Sequence, residues 1–226
     1  MVVTFEGILR TDELAAIRRQ LAAADWAIGI SAGAQAVLVK NNQQLPESAP
    51  QLRELRLIVM RALNRSPELL SAALPNKILP PNFNRYSGAH NAYGVHADAT
   101  LRSLPDGSWL RTDISATLFL SDPADYDGGE LEIEDLFGRH LIKLAAGSLV
   151  IYPSGSLHQV RAVTRGERLA CYFFMQSVVK SSEQRRLLYE MDCALRRLRA
   201  QLGDAQPDLV RLTALYNNLI RCWSDC

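Results

Sequence analysis

Residues 147–177, GSLVIYPSGSLHQVRAVTRGERLACYFFMQS, decide what kind of fold this chain makes. The runs GSLVIYP, HQVRAV and RLACYFFMQS are rich in β-branched and aromatic residues. Between them stand Ser154-Gly155-Ser156 and the turn Thr164-Arg165-Gly166-Glu167. Short β-type runs broken by Gly, Pro and Ser are the pattern of strands joined by tight turns.

The same pattern extends back to residue 77 through KILPPNFNRYS, DISATLFLSD, GELEIED and RHLIKL. Turn residues at Pro105-Asp106-Gly107, Asp127-Gly128-Gly129, Phe137-Gly138 and Ala146-Gly147 separate these runs. Many short strands at such spacing predict an antiparallel barrel or sandwich. Helical periodicity flanks this core on both sides. Residues 11–24 predict a helix with Thr11 as N-cap and Leu14, Ile17 and Leu21 as its apolar stripe. From Gly33 to residue 50 the chain reads as a strand entering a loop, followed by helices over 50–63 and 67–73. Ser181 with Gln184 forms a capping box ahead of Leu187, Leu188, Met191, Leu195 and Leu198. After a break at 203–207, Leu212, Leu215, Leu219 and Trp223 form another stripe. The expected organisation is a helical and strand support region over 1–76, a β core over 77–179 and a helical region over 180–226. The C-terminal stripes are expected to pack on the β core, with a homo-oligomer contact as their second use.

Composition narrows the function classes. The 226 residues carry 25 Lys and Arg against 24 Asp and Glu, a net charge of +1. Such a balance leaves no electrostatic footprint for nucleic acid. No apolar run reaches the roughly 18–20 residues that span a bilayer, and the N-terminus lacks the pattern of a signal peptide. The expectation is a soluble, cytoplasmic protein. Its four cysteines are too sparse for a disulfide scaffold. Cys171 and Cys193 read as small buried hydrophobes, while Cys222 and Cys226 form a lone terminal pair, a weak signal for metal or oxidation.

Chemistry concentrates on few residues. In NRYSGAHNAYGVHADAT, His96 and Asp98 are two apart, so on an extended strand both project to one face. His158 follows a small-residue loop some sixty residues later. Two neutral imidazoles and one carboxylate on one side of an ion make the facial triad of non-haem iron(II) oxygenases, with positions left open for co-substrate and dioxygen. Arg168, ten residues beyond His158 and expected on the strand beside it, suits bidentate capture of a carboxylate away from the metal. Tyr86, ten residues before His96, is placed to reach the same ligand.

RYSGAHNAYGVHAD, DISATLFLSDPADYDGGELEIED and YPSGSLHQVRAVTRGERLACYFFMQS together closely resemble the iron(II)/2-oxoglutarate-dependent dioxygenases. More narrowly, the chain resembles the bacterial PKHD-type hydroxylases, relatives of the prolyl 4-hydroxylases, over nearly its whole length. The resemblance implies a double-stranded β-helix, or jelly-roll, core with helical support, so a mainly β fold with helical flanks. It implies His96, Asp98 and His158 as ligands of Fe(II), Arg168 as the partner of the distal carboxylate of 2-oxoglutarate, and Tyr86 as a wall of the co-substrate pocket. It implies oxidative decarboxylation of 2-oxoglutarate to succinate and carbon dioxide, coupled to hydroxylation by dioxygen, with ascorbate as accessory reductant. Where such enzymes usually carry a large aromatic, often Trp, this chain has Phe174. Thr117 is a weaker pocket candidate.

Two rival readings use the same residues. A cupin-like metalloenzyme would use the barrel without 2-oxoglutarate, although cupins usually open with His-x-His followed by Glu. A non-catalytic iron-binding or sensing module would bind metal without forming succinate. His90 and His140 read as bystanders in a polar loop and a hairpin. Asp127-Gly128-Gly129-Glu130 reads as a turn, since calcium-loop spacing is missing. The substrate, a small molecule or a protein side chain, is not specified; the irregular segments 33–50 and 99–111 are where specificity is expected.

Overall fold

A computed structural model describes residues 1–30, 34–104, 106–135 and 138–225. Gly33, Pro105, Phe137 and Cys226 of the readings above lie outside them. Two antiparallel sheets face each other. The major sheet runs in the order Val3–Phe5, Leu149–Pro153, Ile114–Phe119, Arg168–Ser177, Asn82–Tyr86, Gln43–Gln44, Ala27–Ile28, with Pro75–Ile78 added beside Arg168–Ser177. The minor sheet runs Gly138–Ile142, Leu131–Asp135, His158–Val160, Ala92–His96, Lys40–Asn41. Apart from the hairpin of Leu131–Asp135 with Gly138–Ile142, most neighbours in these orders are distant in sequence, so the chain crosses repeatedly from one sheet to the other.

Strand periodicity of two sorts the side chains into two cores. On Arg168–Ser177, residues Cys171, Phe173 and Met175 enter one cluster, while Arg168, Tyr172 and Phe174 face a cavity between the sheets. Leu149 and Ile151 join the first cluster and Val150 and Tyr152 the second. All six residues of Ile114–Phe119 are buried, because this strand is central and covered on both faces. The outer cluster is completed by helices: Ile17 and Leu21 from Thr11–Ala22, and Leu55, Val59 and Leu63 from Leu52–Asn64. These are the apolar positions that the helical periodicity selects.

Several local expectations need correction. Thr11 is the first helical residue rather than the cap; the Arg10 N–H donates to the Glu13 carboxylate at 2.9 Å, which satisfies the helix start. The segment expected as a strand entering a loop contains a short helix, Ala34–Val39, before its strands. Cys171 is buried, but Cys193 is only half-buried. The C-terminal helices pack chiefly on other helices, with Tyr189 reaching the core cluster. Ser182–Leu202 lies on the helix Pro67–Ala73, and Pro207–Trp223 lies on Ser182–Leu202. The outer face of the major sheet is already taken by the N-terminal helices, so Leu212 and Leu215 remain exposed. No helix among the described residues is long and apolar enough to cross a membrane.

Candidate active site

His96 ends the strand Ala92–His96, and His158 opens the strand His158–Val160. These strands are neighbours, and their register sets His158 opposite His96. Directly opposed residues project to the same face, so two distant histidines become adjacent imidazoles with ring centres 4.3 Å apart. Asp98 lies two residues past its strand, with its N–H donating to the Ser154 carbonyl at 3.3 Å. His96 Nε2 lies 4.0 Å from Asp98 Oδ1, and His158 Nε2 lies 3.5 Å from Asp98 Oδ2. One ligand atom from each of the three falls within 4.8 Å of the others, the only such convergence of His, Cys, Asp and Glu among the described residues.

The surroundings aim these atoms. His96 Nδ1 lies 2.8 Å from the Gly94 carbonyl, and His158 Nδ1 lies 3.0 Å from the Ser156 carbonyl. A carbonyl only accepts, so each Nδ1 carries the proton and each Nε2 presents its lone pair to the shared point. Tyr93 stacks on His96 at 3.7 Å and Tyr152 meets His158 edge-on at 5.0 Å, which holds both ring planes. Burial, and then the neighbouring His158, push the His96 pKa down to about 4, so its imidazole is neutral and ready to ligate. The Ser115 hydroxyl donates to Asp98 Oδ2 at 2.6 Å and itself lies 2.8 Å from Ser154 Oγ.

Arg168 approaches from the opposite side. Its strand belongs to the major sheet, where Arg168 pairs with Tyr86, and not to the strand beside His158 as expected. The connection through 164–167 crosses between sheets instead of forming a hairpin. Arg168 is 1% exposed; its Nε and Nη2 complete no well-formed hydrogen bond, and the Tyr126 hydroxyl is the polar group beside the guanidinium. The rings of Tyr86 and Phe119 flank its guanidinium at 5.2 and 5.1 Å. Gly129, at φ +67°, makes room: a Cβ there would come within 3.0 Å of Arg168 Cδ and 2.9 Å of Tyr126 Cε2. The Asp127-Gly128-Gly129 turn thus helps to seat the arginine.

One cavity gathers His96, Asp98 and His158 with Arg168, Tyr86, Thr117 and Phe174. His90 and His140 stay outside it, paired with Asn41 at 3.0 Å and Asp135 at 2.7 Å respectively. The donor set, two imidazole nitrogens and one carboxylate oxygen, fits iron(II) with positions left open. The orphaned donors of buried Arg168 fit a carboxylate. Sequence reasoning did not single out Ser115, Tyr152 or Asn84, which also line the cavity. Ser115 was within reach, because it is two residues from Thr117 and shares its face. Tyr152 hydrogen-bonds Thr117, and burial raises its pKa well above the ordinary tyrosine value.

Comparison with known proteins agrees with this geometry. Residues 81–176 match the family model of the 2OG-Fe(II) oxygenase superfamily, and residues 183–225 match the PKHD-type hydroxylase C-terminal domain. In fold, the chain is similar to a Trichoplax adhaerens prolyl hydroxylase solved with a hypoxia inducible factor peptide fragment. That match has a TM-score of 0.54 and 14% identity, over 83% of this chain and 86% of that one. A Pseudomonas putida prolyl-4-hydroxylase is similar at a TM-score of 0.50 and 24% identity, over 78% of this chain and 92% of that one. These likenesses define the architecture, the double-stranded β-helix core of 2OG-Fe(II) oxygenases. At full length on both sides, the chain is 57% identical to a PKHD-type hydroxylase of Nitrosomonas europaea and 51% identical to one of Azoarcus sp.. The chain belongs to the PKHD-type hydroxylases and is an oxidoreductase.

Proposed function

We propose that this enzyme is an iron(II)- and 2-oxoglutarate-dependent dioxygenase that hydroxylates its substrate. The balanced reaction takes 2-oxoglutarate, dioxygen and a C–H bond to succinate, carbon dioxide and an alcohol. The observation that carries the reading is one cavity with a convergent His-Asp-His set and, across it, a buried arginine whose Nε and Nη2 complete no well-formed hydrogen bond. A buried unpaired cation is costly unless an anion meets it. This favours a co-substrate with a carboxylate over the cupin-like reading, in which Arg168 has no task. It also argues against a module that only binds iron.

His96, Asp98 and His158 would hold the metal. Iron(II), when bound, supplies the redox chemistry that activates dioxygen. The chain's own residues do the rest. Gly94 and Ser156 carbonyls keep the two Nε2 lone pairs aimed. Ser115 holds Asp98 so that one carboxylate oxygen stays turned to the shared point. Arg168 would clamp the distal carboxylate of 2-oxoglutarate, with Tyr86, Thr117 and Phe174 as walls. The buried rings of Tyr86, Tyr152 and Phe174 give this cavity part of its apolar wall. Ascorbate is the reductant proposed to keep the metal in its iron(II) state.

The test is Asp98→Ala, with 2-oxoglutarate consumption, succinate formation and bound iron measured together. Iron retention and succinate are both expected to be lost while the circular dichroism spectrum is kept. Continued succinate formation by the variant would overturn the ligand assignment.

A further inference from the structure

The charges lining the cavity do not balance around the proposed metal and co-substrate. The charges of iron(II) and Arg168 would offset the Asp98 carboxylate and the two carboxylates of 2-oxoglutarate. Two further cations, Lys40 and Arg102, line the same cavity, and Asp98 is the only acidic side chain among its lining residues. Neither cation has an ion-pair partner among the described residues. Lys40 Nζ donates to the Ile30 carbonyl at 2.7 Å and lies over the rings of Tyr93 and Tyr172 at 5.3 and 5.8 Å. The Arg102 guanidinium carbon stands 4.7 Å from the centre of the Phe174 ring, and its buried Nε meets no acceptor.

The two cations come from separate elements of the chain. Lys40 is on the edge strand Lys40–Asn41 of the minor sheet, and Arg102 is on the strand Leu101–Ser103 of a separate hairpin. These belong to the two segments, 33–50 and 99–111, in which the sequence placed specificity. Their convergence is costly by itself: burial first, and then the charge of Arg102, bring the Lys40 pKa down to about 8, even with the opposing pull of Asp98. An anion between them would relieve both the desolvation and the repulsion. Each cation lies over an aromatic face, and the unpartnered Arg102 Nε is a donor such a group could satisfy.

We propose that Lys40 and Arg102 form a subsite for an anionic group of the substrate, a carboxylate or a phosphate, so that the hydroxylated molecule is an acid. The proposal deepens the reading of the metal and co-substrate site above and rests on it.

The experiment uses the full chain loaded anaerobically with iron(II) and 2-oxoglutarate, whose metal-to-ligand absorption band checks the loading. Calorimetric titration then compares acids with neutral counterparts: phenylacetate with phenylacetamide, and acetate with acetamide, with inorganic phosphate as the phosphate arm. At least one acid is expected to bind about tenfold or more tightly than its amide, the scale of one charge-assisted hydrogen bond. Arg102→Gln and Lys40→Met are each expected to erode that preference, and the double variant to abolish it. Arg102→Lys is expected to restore part of it. In all of these the 2-oxoglutarate affinity is expected to stay within about twofold. Tighter phosphate binding assigns a phosphate substrate, and tighter carboxylate binding a carboxylic acid. Equal affinity for acid and amide, a preference that survives in the double variant, or acids that bind only by displacing 2-oxoglutarate would overturn the subsite. A band that never forms sinks the co-substrate reading instead; the same titration on metal-free protein then decides the subsite.

Discussion

Replacing Arg168 with Met separates binding from folding. Met keeps much of the apolar stem but has no donors. In the structure Arg168 is buried between Tyr86 and Phe119 with Nε and Nη2 unpartnered. Each of those donors, given a carboxylate, would contribute about 1.5–3 kcal/mol as a charge-assisted hydrogen bond. The pair therefore amounts to roughly 3–6 kcal/mol, or about two to four decades in the dissociation constant for 2-oxoglutarate. The ligand-free protein should respond in the opposite sense. The two unsatisfied buried donors together cost about 2–6 kcal/mol, while the stacking lost on the two rings is worth about 1–4 kcal/mol. At the middle of these ranges the free variant gains about 1.5 kcal/mol, or roughly 3–6 °C in Tm at about 2–4 °C per kcal/mol for a chain of this size. The assay is paired: an anaerobic titration of the metal-to-ligand absorption band, and thermal melts with and without 2-oxoglutarate. The parent should gain Tm with 2-oxoglutarate and the variant should not. Binding within about tenfold of the parent, less than a single such hydrogen bond, would refute the assignment of Arg168. A variant that is strongly destabilised without ligand would refute the argument from its unpaired donors.

Three further outcomes follow from the same geometry. Ser115→Ala removes the donor to Asp98 Oδ2 and should weaken iron(II) affinity by about 10–100-fold, read by metal titration, with the fold unchanged; unchanged affinity would show that Asp98 needs no such support. Gly129→Ala places a Cβ at φ +67° within 3.0 Å of Arg168 Cδ, so it should raise the KM for 2-oxoglutarate and lower the Tm; a parental KM would show that the turn does not seat the arginine. The Arg65 guanidinium, hydrogen-bonded to Glu13, holds the Glu13 carboxyl below its ordinary value. A depressed carboxyl pKa stabilises the fold above the unfolded value near 4.5 and loses that contribution as pH falls through the lower folded value. Denaturant titrations of the parent and Glu13→Gln should therefore converge in that acid window; a constant difference down to the lowest pH at which the protein folds would contradict the linkage.

The comparison of sequence with structure turns on particular residues. The β core and its turns were legible because period two and Gly-rich breaks are local properties. His96 and Asp98 were legible as a pair by their spacing of two, although Asp98 lies past the strand that ends at His96; His158 and Arg168 were legible through the resemblance of their motifs to a family, while the strand expected for Arg168 was not the one it occupies. Residue types also selected the helical faces, such as Leu55, Val59 and Leu63. Other features depend on which strands meet. The pairing of His158 with His96 and the seat of Arg168 on the facing sheet are cross-strand facts with no local signature. Ser115 carries a weak polar signal on an apolar strand, and only its 2.6 Å approach to Asp98 shows what it does. The C-terminal stripes pointed at the β core by their apolarity, but apolarity does not name a partner, and the sheet face was already covered. By itself, then, the sequence determined the core strands, the helix faces and the identity of the metal-ligating and carboxylate-binding candidates. Only the tertiary structure decided which of them converge, which sheet carries each, and that Lys40 and Arg102 face a common cavity. The reason is physical: periodicity is set by one chain's backbone, whereas convergence is set by packing between segments far apart along it.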